Sequence, residues 1–267
     1  MKKILLLCIF LSTIFANQRL IVLDPASIET LFMLESGDKI VGMAHLQHSK
    51  IYPEDKTKEI QSVGSFSHPS IEKIVSLKPS LVILSSYSLN LEESLKNYGI
   101  KSLYLKADNL DDINDNIKTL ASIVGKEKEG QILMQNFKNN LEELSKNPIN
   151  KSAIYLFSSN PLMAFSDNSL MADILRLLGI KNLTPKSDIK RPIISNELIL
   201  KTNPDMLILG IASDNINELI EKNSLLKNVN AVKNKQIFYN EDTRILLRLS
   251  PKIIDRIKEF KNRLENL

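Results

Sequence analysis

The chain has 267 residues, 43% hydrophobic and 25% charged, with 35 basic against 31 acidic side chains and a formal charge of +4. A surface so nearly balanced gives no clustered Lys/Arg footprint for nucleic acid, and the length allows one large core or two modest ones. The one cysteine, Cys8, lies in an apolar leader, so the processed chain has no thiol for a disulfide, a thiolate zinc site or a cysteine nucleophile.

That leader reads MKKILLLCIFLSTIFA. Lys2 and Lys3 form its basic start, Ile4 to Phe15 its apolar run, and Ala16 is a small residue suited to cleavage. Spanning a bilayer takes about 20 apolar residues, which the run lacks, so residues 1–16 are expected to be a signal peptide cut after Ala16. LLLC loosely resembles a lipobox, but a cut before Cys8 would leave most of the apolar run on the mature protein.

Short apolar runs then alternate with helical patterns. RLIVLD (19–24), KIVGMA (39–44), LVILSS (81–86) and SLYLKA (102–107) read as strands; SIETLFMLES, SIEKIVSLK and LNLEESLKNYG between them have the three- and four-residue spacing of helices. From Asp111 to Asn147 no strand is readable. Two helices follow one another around Gly125, and KEKEGQILMQNFKNNLEELSKN would extend about 33 Å before Pro148 stops it. AIYLFSS, DMLILGI and QIFYNE then read as strands, with SLMADILRLLG, SNELILKTN and SPKIIDRIKEFKNRL as helices. Alternation of this kind predicts an α/β fold with parallel sheets. It divides the chain into a lobe over 17–122, a linking helix over 123–148 and a second lobe over 149–267.

An internal repeat supports that division. IEKIVSLKPSLVIL (71–84) parallels NELILKTNPDMLIL (196–209), matching Glu72 to Glu197 and Pro79 to Pro204. Each glutamate falls in a first helical turn, where the helix dipole favours negative charge; recurrence at matched places points to a shared docking role.

At this point the chain resembles the periplasmic solute-binding proteins of ABC importers for iron–siderophore, haem and cobalamin complexes. The resemblance rests on LDPASIETLFMLESGDKIVGM, VGSFSHPSIEKIVSLKPSLVIL, MADILRLLGIKNL, ISNELILKTNPDMLIL and RLSPKIIDRIKEF, and spans essentially the whole mature chain. It implies two Rossmann-like lobes joined by one long helix, with cargo held in the cleft between them. It also implies a monomer in the periplasm that docks Glu72 and Glu197 on arginines of an inner-membrane permease. Charges of that kind set register more than affinity.

Ligands of open α/β sheets bind beyond the carboxyl ends of the strands. That rule nominates Pro25, Tyr52, Ser65, Phe66, His68 and Tyr87 in the first lobe, and Asn160, Arg191, Asp242 and Arg244 in the second. All 3 histidines, His45, His48 and His68, fall on first-lobe loops, and neutral imidazole is the commonest protein ligand of transition metals. His45 and His48 would share a face if their segment were helical. In haem-binding relatives a tyrosine ligates iron just after the glycine equivalent to Gly64; Ser65 stands there, so His68 or Tyr87 would have to replace it. The arginine forks of Arg191 and Arg244 suit carboxylate and catecholate oxygens. Phe165 adds an aromatic candidate near the same loops.

No resident cofactor is expected; the cargo is read as a metal complex, iron first, with nickel or cobalt as the rival. Cobalamin, mildly disfavoured by the absence of tryptophan, and a bare transition metal remain alternatives of the same class. An exported α/β enzyme is the remote alternative: the sequence has no GxSxG elbow, GxGxxG loop or phosphate loop.

Overall fold

Strand and helix alternate from Leu20 onward because short β-rich apolar runs are separated by capped amphipathic segments. The computed structural model describes residues 18–47, 49–212, 216–222, 224–240 and 243–266. The leader with Cys8 and Ala16, His48, Glu241 and Asp242 lie outside the described residues.

In chain order the elements are β1 (Leu20–Val22), α1 (Pro25–Met33), β2 (Ile40–His45), α2 (Glu54–Thr57), β3 (Ser62–Ser65), α3 (Ile71–Ser76), β4 (Leu81–Leu84), α4 (Glu92–Asn97) and β5 (Ser102–Tyr104). These strands form one sheet in the order β3-β2-β1-β4-β5, with every neighbouring pair parallel. Parallel neighbours need crossover segments, which the helices supply. Its core gathers Ile21, Leu23, Ala44, Val63, Ile74, Val82, Leu84 and Leu95; each such side chain contributes about 1.5–3 kcal/mol when fully buried. Strand order reverses between β1 and β4, so the loops after those two strands flank a topological switch point.

Two helices follow, α5 (Asp112–Val124) and α6 (Glu127–Ser145). Gly125 separates them with φ 69°, the left-handed cap that glycine adopts without a Cβ penalty. Helix α6 has 19 residues, about 28 Å at 1.5 Å per residue, so it is shorter than the sequence suggested. At its start the Lys126 amide is taken by the Ala121 carbonyl. At its end, the buried Lys261 ammonium donates to the carbonyls of Leu144, in the last turn, and Asn147, just beyond it. Phe137 and Leu144 are buried as their spacing predicts, but Ile132 is exposed.

The remaining elements are β6 (Lys151–Ser159), β7 (Leu162–Ala164), α7 (Leu170–Leu177), β8 (Ile180–Asn182), α8 (Asn196–Thr202), β9 (Met206–Ala212), α9 (Ile216–Lys222), α10 (Asn230–Lys233), β10 (Ile237–Tyr239), α11 (Thr243–Leu246) and α12 (Ile253–Glu265). A second sheet runs β10-β9-β6-β7, with β8 also paired to β6. It is parallel except for β7, which turns back antiparallel on β6 after Asn160 and Pro161. The sequence yielded neither β7 nor β8, each only three residues long. Ile154, Leu156, Ile199, Leu207, Leu209 and Leu226 belong to the core of this half.

By internal packing the chain forms two units. One holds the residues up to Ala107, Asp111–Asn136 and Ser250–Lys252; the other holds Asp108–Leu110, Phe137–Leu249 and the residues from Ile253 onward. The chain thus passes from the first unit to the second within α6, and three residues near the carboxyl end belong with the first.

Candidate functional site

In the first unit, the loops at the carboxyl ends of β2, β3 and β4 bring several of the expected residues together. The loop after β3 is shaped by Gly64. Its φ of 120° is open to glycine, and a Cβ there would stand 2.7 Å from the His68 carbonyl oxygen. The Ser70 amide then donates to the Val63 carbonyl at 2.7 Å, folding the chain back on β3. Within this tight turn the His68 amide donates to the Ser65 carbonyl and to Ser65 Oγ, each at 3.1 Å. The Phe66 amide donates to the His45 carbonyl at 3.0 Å, joining the turn to the end of β2. His68 is exposed, and its Nδ1 lies 2.9 Å from Ser67 Oγ.

The loop after β4 has a polar internal scaffold. The buried Ser88 hydroxyl accepts from the Ser85 amide at 2.8 Å, and Ser85 Oγ accepts from the Tyr87 amide at 3.3 Å. These bonds hold a turn from which Tyr87 projects, 64% exposed. The Phe66 and Tyr87 rings meet at 4.9 Å between centroids with a 52° tilt, within the range where aromatic pairs attract. The loops after β3 and β4 thus present one aromatic pair, with an exposed imidazole on the same turn as Phe66.

Tyr52, in the loop after β2, is 42% exposed. Its amide donates to Glu29 Oε1 at 3.3 Å, and the Lys252 ammonium sits 4.3 Å from its ring centroid. Neither Glu29 nor Lys252 stood among the sequence candidates, because both fall inside stretches read as helical patterns, SIETLFMLES and SPKIIDRIKEFKNRL. Pro25 is placed differently from the expectation of a ligand contact. It is buried at the first position of α1, where Asp24 caps the helix by accepting from the Ser27 amide at 2.8 Å. His45 is the last residue of β2, paired in register with Ser65, so it does not lie on a helical turn with position 48. Among the described residues, no cluster of three or more His, Cys, Asp or Glu side chains could hold a metal ion.

In the second unit, Asn160 occupies the exposed β6–β7 turn and Arg191 stacks its guanidinium 4.4 Å from the Phe157 centroid. Stacking fixes the plane of the fork and leaves its N–H edge for an acceptor. Arg191 lies on a segment laid along β7: the Ser166 amide donates to the Lys190 carbonyl at 3.0 Å and the Ala164 amide to the Pro192 carbonyl at 3.1 Å. Arg244 is exposed on α11, whereas Arg248 is buried. Behind α11, the Asn240 amide group donates to the buried Tyr155 hydroxyl at 2.6 Å, and that hydroxyl lies 2.9 Å from Thr243 Oγ1. Phe165 is buried against Tyr155 and Phe157. It is core rather than a ligand-facing ring, because β7 turns it inward.

The repeated segments fold alike. Ser70 caps α3 by accepting from the Lys73 amide, and Ser195 caps α8 by accepting from the Leu198 amide. Lys78 and Asn203, each just before its proline, have φ of 47° and 46°, and β4 and β9 begin two residues after those prolines. Glu72 and Glu197 both lie exposed in first turns. The Glu197 carboxyl is held below its ordinary range by its own backbone amide and then by the Ser195 hydroxyl.

A profile of the family described as periplasmic binding protein matches residues 20–243. A vitamin B12-binding protein of Pectobacterium atrosepticum is 28% identical over 209 residues, covering 74% of each chain. The petrobactin-binding protein YclQ of Bacillus subtilis is 25% identical over 265 residues, covering 93% of this chain and 83% of its own length. Among solved structures, a periplasmic solute-binding protein from Staphylococcus epidermidis superposes with a TM-score of 0.81 at 26% identity, covering 92% of this chain and 98% of its own.

Proposed function

The chain belongs to the periplasmic binding protein family, the substrate-binding components of ABC importers for B12, siderophores or haem, and from that membership we propose that its cargo is a metal chelate, a ferric siderophore or haem before others. The observation that carries this reading is the loop cluster of the first unit, with the Phe66–Tyr87 pair and the exposed His68 at the carboxyl ends of β3 and β4. Aromatic faces suit a flat macrocycle or catechol rings, and an imidazole can complete the coordination of a chelated metal. The stacked Arg191 and the exposed Arg244 favour a cargo with anionic oxygens. The exposed imidazole of His68 also supports a second reading, a nickel or cobalt chelate that takes one protein ligand.

The protein works, in this reading, as a monomer on the outer side of the inner membrane after cleavage behind Ala16. It hands its cargo to a permease through Glu72 and Glu197. The matched caps, left-handed residues and prolines of the two repeats support that pairing, since they hold each glutamate in the same local frame. The test is the double variant Glu72→Ala with Glu197→Ala. Uptake is expected to be abolished while cargo binding in solution stays at the wild-type level; normal growth of the double variant on the cargo as sole metal source contradicts delivery through these residues.

A further inference from the structure

Within the second unit, the start of α11 is tied to β6 and β9 by a closed ring of side-chain bonds. The Asn240 side-chain amide donates to the Tyr155 hydroxyl at 2.6 Å. Thr243 has one hydroxyl proton, which goes to the Asn240 carbonyl at 2.7 Å. Thr243 Oγ1, 2.9 Å from the Tyr155 oxygen, therefore accepts the phenolic proton. Each bond of the ring has its own proton, and the Asn240 backbone amide adds a bond to the Leu209 carbonyl in β9 at 2.8 Å. All three residues are buried, and a buried polar group is costly unless partnered, so each fixes the others. The Tyr155 ring is itself set edge-on against Phe165, with 5.1 Å between centroids. Thr243 opens α11, whose four residues are too few to hold a helix by themselves; its placement comes from Thr243 and the buried Leu246. Arg244, the next residue, is exposed, and among the described residues no acceptor engages its guanidinium.

We propose that Tyr155 is a positioning residue for cargo recognition: through Thr243 it holds α11 so that Arg244 presents its guanidinium fork to an anionic oxygen of the cargo, a catecholate or a carboxylate. The assignment rests on the proposed function. Tyr155 lies inside AIYLFSS, which the sequence marks only as a strand, and it touches no cargo itself. A planar fork depends on orientation more than a point charge does, and a donor held in place before binding loses less freedom when the oxygen arrives. Loosening α11 therefore weakens anionic complexes and leaves uncharged ones, which make no use of the fork, as they were.

The test is a titration of the full processed chain with three probes: a ferric tris-catecholate complex, which is strongly anionic; haemin, which has two carboxylates; and an uncharged ferric tris-hydroxamate complex. Tyr155→Phe removes the hydroxyl alone and is expected to weaken binding of the preferred anionic probe about fivefold, and Arg244→Gln about tenfold. The double variant is expected to lose no more than Arg244→Gln, because both changes act through one guanidinium. Thr243→Val breaks the same ring from its other side and matches Tyr155→Phe, whereas Thr243→Ser keeps the hydroxyl and restores the affinity. Tris-hydroxamate binding is the readout that a merely structural role would move, and it stays level across the series. Whichever anionic probe responds identifies the oxygen as catecholate or carboxylate. Wild-type affinity for both anionic probes in Tyr155→Phe and Thr243→Val overturns the assignment while the proposed function stands. Losses that add in the double variant, an equal loss for the uncharged complex, or a wild type that binds only that complex do the same. A wild-type chain that binds none of the three overturns both.

Discussion

Gly64 shows how a single backbone position shapes the candidate site. Its positive φ lets the chain reverse directly after β3, and the reversal sets His68 on the Ser65 carbonyl and hydroxyl while Phe66 reaches Tyr87. A Cβ at this position would meet backbone oxygen at 2.7 Å, which no rotamer change relieves, and forced strain of this type costs about 1–3 kcal/mol. Gly64→Ala is therefore expected to weaken cargo binding about as much as His68→Ala, by about tenfold or 1.4 kcal/mol, although the new methyl touches no ligand. Titration of both variants with haemin and a ferric tris-catecholate complex checks this. Wild-type affinity in Gly64→Ala would separate the turn from the site, and wild-type affinity in His68→Ala would remove the imidazole from it. The sequence nominated His68, Phe66 and Tyr87 because loops after parallel strands are readable from the strand pattern. It misplaced Pro25 and Phe165 because being near a strand end does not say which way a residue faces: one starts a capped helix and the other faces the core.

At the scale of elements, the two repeats reuse one design with different chemistry at the strand entry. In the first, Ser80 Oγ accepts from the Arg19 amide at 3.0 Å beside β1. In the second, Asp205 takes the same place beside β6: it accepts from Ser152 Oγ at 2.7 Å and from the Ser152 amide at 2.8 Å. These donors, the hydroxyl foremost and then the amide, hold the Asp205 carboxyl below its ordinary range. A depressed carboxyl stabilises the fold above its unfolded-state value, and that contribution is lost as pH falls through the folded-state value. Asp205→Asn should therefore lower resistance to urea at neutral pH and lose less than the wild type on acidification. Parallel curves for the two proteins across the acid range would contradict this. The repeat was legible because its prolines, glutamates and β-rich runs stand in register. Strands β7 and β8 were not, since LMA and IKN have no β-rich run around them like those that marked the equally short β1, β5 and β10, and their pairing is decided by the neighbours they meet.

For the whole molecule, the class of fold followed from alternation, and the long helix α6 from an apolar stripe bounded by Gly125 and Pro148. The joining of residues 250–252 to the first unit did not, because it depends on a carboxylate in α1 more than two hundred positions earlier meeting a serine hydroxyl; no local pattern encodes such a meeting. Family membership then supplies the class of activity, while the proposed cargo rests on side chains: two rings and an imidazole in the first unit, Arg191 and Arg244 in the second. Elemental analysis with a visible spectrum of the protein purified from its native compartment tests this most directly. The account predicts iron in stoichiometric amount, with either a Soret band or a catecholate charge-transfer band. A colourless protein free of bound metal, taken from cells supplied with iron, would contradict it.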